Sequence, residues 1–153
     1  MIVYKIAAIY DGKMVSMQHL ALEHHGWSVQ YEVGKRSHPA YSGSRLFAYL
    51  DLQTALCEAK IFGHSAILRC VTEHAIVLRT DSSLPLIGES FVWSNGYIVP
   101  TSWPRDSFVR SKPGTVLAPW LEPECVLRYI DGVGRIIKKE CDAYLQGCHS
   151  KSQ

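Results

Sequence analysis

Two glutamates, Glu122 and Glu124, stand two residues apart on an extended stretch, a spacing that turns both carboxylates to one face. Paired carboxylates in unlike surroundings divide general acid and base work between them. The plainer reading of the same pair is a charged strand edge that resists pairing with another chain. The seven histidines (His19, His24, His25, His38, His64, His74 and His149) recur at no spacing that would converge on one ion, so no metal site is read from them. The five cysteines are scattered without a CxxC, which argues against a disulfide framework and against a zinc ribbon. Cys141 and Cys148 read as exposed thiols near the chain end. Trp93, Trp103 and Trp120, with Tyr97, enrich the C-terminal half in aromatics, either as core or as anchors at a protein interface.

The common catalytic signatures are missing from the sequence. Gly34-Lys35-Arg36-Ser37 lacks the upstream glycine of a phosphate-binding loop, no GxGxxG opens a helix, and neither GxSxG nor HExxH occurs.

Whatever chemistry there is must be positioned by a mainly antiparallel sheet. Ile2 to Tyr10 is rich in β-branched and aromatic residues, and Asp11-Gly12 turns it back through Lys13 to Ser16 as a hairpin. Trp27, Val29, Tyr31 and Val33 alternate with polar residues and predict a strand buried on one face. Arg45 to Leu50 predicts another. Asp51 then stands as the N-cap of a helix whose apolar stripe is Leu52, Ala55, Leu56, Ala59 and Phe62, with Gly63 as its stop. Ser65 to Thr72 and Ala75 to Arg79 follow as strands about Glu73-His74, and Asn95-Gly96 marks a hairpin between Ser90–Ser94 and Tyr97–Pro100. Thr115 to Ala118, Cys125 to Ile130 and Val133 to Lys138 close the sheet, which reads as roughly six to nine strands. The predicted fold class is α+β: a twisted, mainly antiparallel sheet with one main helix packed on it. Residues 1–139 read as a single globular domain and 140–153 as a flexible C-terminal tail.

Composition narrows the function classes. At 153 residues, 47% hydrophobic and 20% charged, the chain has the make-up of an ordinary globular domain. A net charge of +2 supplies no strong field for nucleic acid or an anionic membrane. No apolar run reaches the roughly 18 residues of a membrane span, and Met1 to Lys5 reads as strand rather than as a leader. A soluble chain in the reducing cytosol is expected.

Two long loops stand out, Gly34 to Ser44 and Thr101 to Gly114, rich in basic and aromatic residues that a rigid sheet would present. Their candidate binding residues are Arg36, His38, Tyr41, Arg45, Trp103 and Arg105.

The segments Tyr4-Lys5-Ile6, Asp11-Gly12-Lys13 with Val15-Ser16, Val29 to Lys35, Leu46 to Leu52 with Ala55, and Pro113 to Leu117 resemble a family of small uncharacterised proteins of bacteriophages and prokaryotic genomes. This resemblance covers about half of the chain in pieces and implies no activity. A weaker one is to the ADP-ribosyltransferase superfamily, carried by Leu46 to Tyr49, Ala55 to Ala59, and Glu124 ahead of Cys125-Val126-Leu127. It implies NAD as cofactor, Glu124 as the residue that stabilises an oxocarbenium ion, and Tyr49 or Tyr41 stacked on nicotinamide. The leading expectation is a non-enzymatic module, with no cofactor, that docks on a host or phage protein complex, in the manner of an inhibitor of host defence. The NAD-consuming enzyme is its rival.

Overall fold

The computed structural model describes residues 1–17, 28–40, 44–87, 90–92 and 108–139, and side-chain environments within 1–17, 28–40, 44–81 and 111–136. β1 (Ile2–Tyr10) and β2 (Lys13–Val15) form the expected hairpin, with Tyr10 opposite Lys13. Asp11 and Gly12 take φ of 51° and 73°, the left-handed pair whose twist suits a two-residue turn. β2 pairs in turn with β3, which spans only Gln30–Tyr31. The strand expected over Trp27 to Val33 is thus shorter than its alternation. Val29 and Tyr31 are buried as the pattern requires, but the chain turns at Glu32, where the Lys35 N–H donates to the Glu32 carbonyl (3.1 Å). Gly34 takes a φ of 84° in that turn, and Val33 is left 50% exposed. Trp27 lies outside the described residues.

β4 (Ser44–Tyr49) leads into helix α1 (Leu52–Phe62). The Asp51 carboxylate accepts from the Thr54 N–H at 2.8 Å and from its hydroxyl, which fixes the helix start. At the other end Gly63, with φ 65°, donates its N–H to the Ala59 carbonyl at 3.0 Å. β5 (Ser65–Val71), β6 (Ile76–Val77), β7 (Ser82–Ile87), β8 (Ser90–Val92), β9 (Phe108–Ser111), β10 (Thr115–Ala118), β11 (Glu122–Ile130) and β12 (Ile136–Lys139) follow.

Among the described residues all pairings are antiparallel, and twelve strands form one sheet with the main path β12-β11-β5-β1-β4-β8-β7-β9. β10 joins β4 and carries β6, while β2 and β3 extend from β1. The α+β class, with one helix on a sheet, is as expected. The strand count exceeds the expectation because β7 and β9 were hidden. β7 is rich in serine and proline, and β9 lies within the segment read as a loop over Thr101 to Gly114, where it pairs with β7. The strand expected over Ala75 to Arg79 contracts to Ile76–Val77. The Asn95-Gly96 hairpin and the 140–153 tail lie outside the described residues.

Alternation along β5 separates two cores. Ala66, Leu68 and Cys70 face one cluster with Val3, Tyr31, Leu46 and Val116, whereas Ile67 faces the helix with Ile6, Ala55, Ala59 and Ile130. The alanines of α1 are fully buried, which lets the helix lie close to β1 and β5. One cation enters the first core: Lys5 is only 3% exposed, its Nζ donates to the Phe47 carbonyl at 2.8 Å, and it lies 5.4 Å from the centre of the Tyr31 ring.

Beyond Phe62 the helix meets the turn between β11 and β12. A Cβ on Gly63 would stand 2.9 Å from the Gly132 carbonyl oxygen, and one on Gly134, whose φ is 82°, would collide with the Lys60 carbonyl. Gly134→Ala should therefore destabilise more than Gly12→Ala, which has open space and pays only the left-handed strain of about 1–2 kcal/mol. Urea unfolding of the two variants checks this, and equal losses would show that the turn does not press on the helix.

Candidate functional site

The rival catalytic pair can be located from strand register. Tyr49 on β4 lies opposite Tyr4 on β1, Tyr4 opposite Arg69 on β5, and Arg69 opposite Cys125 on β11. Residues directly opposite share a face, and Tyr4 and Tyr49 both pack beside Leu52 on the helix side. The register shifts between Pro123 and Cys125, leaving Glu124 as the extra residue of a bulge. Its carboxylate accepts from the Arg69 guanidinium in a half-buried ion pair. Three inter-strand steps of about 4.8 Å put the Tyr49 and Glu124 backbones roughly 14 Å apart. Tyr4 and Arg69 stand between them. The arrangement engages Glu124 in holding β11 to β5.

The loop residues divide. Gly34 to Ser37 is stitched to the start of β11: the Gly34 N–H donates to the Pro123 carbonyl (2.8 Å), and Ser37 exchanges backbone bonds with Leu121 (2.7 and 2.9 Å). The Ser37 hydroxyl donates to the Gln30 carbonyl at 2.8 Å. Arg36 lies on the Trp120 ring, 3.6 Å from its centre, and Arg45 donates to the carbonyls of His74 (3.0 Å) and Leu117 (3.3 Å). Both cations thus have a contact within the fold, a ring face for Arg36 and two carbonyls for Arg45. His38 is exposed. Tyr41, Trp103 and Arg105 lie outside the described residues.

Exposed large apolar side chains occur at the end of α1 and in the turn after β11. The last turn of α1 carries Ile61, 75% exposed, and Phe62, 54% exposed. Phe62 belongs to the apolar stripe by spacing, yet the backbone beside the helix end is that of the turn between β11 and β12. His64 donates its N–H to the Asp131 carbonyl (2.8 Å), and together with the glycine contacts this holds 131–134 against the helix end. Val133, 74% exposed, lies in that turn, whose backbone approaches that of the helix end. Asp131 builds the turn. Its carboxylate accepts from the N–H groups of Val133 (3.0 Å) and Arg135 (2.8 Å) and from the Arg135 guanidinium (3.0 Å). Two features of the sequence mark this end, an adjacent apolar pair closing a helix and a β-branched valine between two turn glycines, and the strand expected from Val133 begins only at Ile136.

Among the described residues, no three His, Cys, Asp or Glu side chains gather in a way that could hold a metal ion, and no helix is long and apolar enough to cross a membrane. Burial pushes the Cys70 thiol well above its ordinary value, which makes it inert as a nucleophile.

Hydrogen bonds from the Arg135 backbone first, then from the Val133 N–H and the Arg135 side chain, hold the Asp131 carboxyl below the usual carboxylate range. A depressed acid stabilises the turn fully above its unfolded value of about 3.9 and loses that contribution as pH falls through its folded value. Carboxyl NMR should show Asp131 titrating below an ordinary aspartate, with amide protection at Val133 and Arg135 lost over the same acid range. A midpoint at the ordinary value would contradict the turn as described. For the bulge, a double-mutant cycle of Arg69→Met and Glu124→Gln should give a favourable coupling of about 1 kcal/mol by chemical denaturation, and zero coupling would remove Glu124 from its structural role.

Compared with protein-family models, with curated proteins and with solved structures, the chain matches none.

Proposed function

We propose that this chain is a non-enzymatic accessory module that works by docking on a protein complex of the host or of a phage. Its contact surface is the apolar end built by α1 and the β11–β12 turn. The phage-family resemblance favours inhibition of a host defence complex as the outcome of docking.

The observation that carries the reading is that Ile61, Phe62 and Val133, each more than half exposed, lie on two segments whose backbones meet at Gly63, Gly132 and Gly134. Single exposed apolar residues are ordinary, and several on segments that meet are what an interaction site requires. Fully burying side chains of this size is worth roughly 1.5–3 kcal/mol each, enough for two or three of them to anchor a complex. The energetic logic is then clear: the fold gives up burial of these residues within itself, and a partner supplies it.

Val133→Asp should leave the melting temperature nearly unchanged, because its side chain is 74% exposed, Phe62→Asp should lower it modestly, because that ring is almost half covered and a carboxylate at the helix C-terminus opposes the dipole, and each should abolish capture of the partner by the tagged chain. Ile76→Asp, on the separate strand β6, should capture normally. Equal capture by all three would defeat the assignment of this surface. The NAD-consuming rival makes a different prediction on the same preparations. A ligand at about 100 times its dissociation constant adds about 2.7 kcal/mol of stability, so millimolar NAD would raise the melting temperature and Glu124→Gln would cancel the rise. The docking module shows no shift.

A further inference from the structure

We infer that residues 32–37 form a releasable strap over one core of the sheet, and that its release, without unfolding of the sheet, uncovers the Cys70 side chain. The device is independent of the docking surface, since it involves other residues.

The strap is defined by the circuit it completes. β3 pairs with β2, β2 with β1, β1 with β5, and β5 with β11. From the end of β3 the chain crosses to the start of β11, where Gly34 bonds to Pro123 and Ser37 to Leu121. Val29 and Tyr31 are thereby laid on the core cluster that contains Val3, Leu68 and Cys70. Cys70 stands between Val3 on β1 and Pro123 on β11 in the sheet register. The bond from Gly34 is thus made to the residue directly beside the thiol.

The two sides of this junction are held with different firmness. On the β11 side the Thr72 hydroxyl donates to the Trp120 carbonyl at 2.6 Å, and Leu121 is fully buried. On the strap side residues 32–36 are all exposed, Gly34 holds a φ of 84°, and Arg36 reaches across to the Trp120 ring. A segment that buries so little of its own surface opens at lower free energy than the strands beneath it. While the strap is down Cys70 is fully buried, and burial raises its thiol well above the ordinary value, so it stays protonated and unreactive. Release returns water to the thiol and with it the reactive thiolate.

Cys125 supplies the internal reference. It is buried as well, but it lies opposite Arg69, the residue before Cys70 on β5. Successive residues of a strand face opposite ways, and Tyr4, the other partner of Arg69, packs on the helix side. Global unfolding bares both thiols, whereas release of the strap bares Cys70 alone.

The test treats the full native chain with N-ethylmaleimide and follows each cysteine by peptide mass spectrometry, with the exposed Cys57 as positive control. Cys70 should react faster than Cys125. Gly34→Ala, whose methyl meets open space but is strained at that φ, should speed Cys70 by roughly fivefold or more and leave Cys125 unchanged. Arg36→Ala should speed it by roughly two- to fivefold, the worth of an exposed cation–π contact. In both variants the amides of Gly34 and Ser37 should lose protection from hydrogen exchange while those of β5 keep it. A Cys70 that stays silent, reacts in step with Cys125, or ignores both substitutions would overturn the strap.

Discussion

The structure depends on how closely backbone can approach backbone around α1. Ala55 and Ala59 present almost no side chain to the sheet and are fully buried, so the helix lies low over β1 and β5. Gly63 and Gly134 carry the same device past the helix end, where a Cβ on either would meet carbonyl oxygens of the facing segment. Close packing of this kind tolerates little change in volume, because protein interiors are filled to crystal-like density. The consequence reaches the surface. The helix terminus and the β11–β12 turn meet backbone to backbone, and Phe62 and Val133 at that junction are each more than half exposed.

That geometry explains why the apolar stripe of the helix does two jobs. Ala55 and Ala59 are core, Leu52 and Leu56 are partly covered, and Phe62 is surface. A stripe read by periodicity alone makes Phe62 equivalent to Ala59, and only their burial in the fold tells them apart. The helix itself was legible because its signals are local: Asp51 to accept from Thr54, the 3.6-residue repeat of Leu52, Ala55, Leu56 and Ala59, and Gly63 to stop it. The Asp11-Gly12 hairpin was legible for the same reason.

What the sequence hid is non-local or unpatterned. β7 carries Ser82, Ser83 and Pro85 and has no alternation to announce it, yet it pairs along most of β9. The ion pair of Arg69 with Glu124 joins residues 55 apart, and the stacking of Arg36 on Trp120 joins a loop to a strand entry. A side chain that looks free in a linear reading is claimed by a partner that only the topology brings near. Glu124 shows this most plainly, since its spacing from Glu122 invites acid–base chemistry while the bulge turns it to Arg69. The candidate interface was illegible on the same grounds, being made where two segments about seventy residues apart in sequence come together.

The central claim is that a protein partner covers the corner made by Ile61, Phe62 and Val133. Site-specific photo-cross-linking inside the cell tests it most directly, with the photoreactive residue placed at position 61 in one chain and at position 76 in another. The account predicts a discrete protein adduct from position 61 and none from position 76. No adduct from 61, or the same adduct from both, would contradict it.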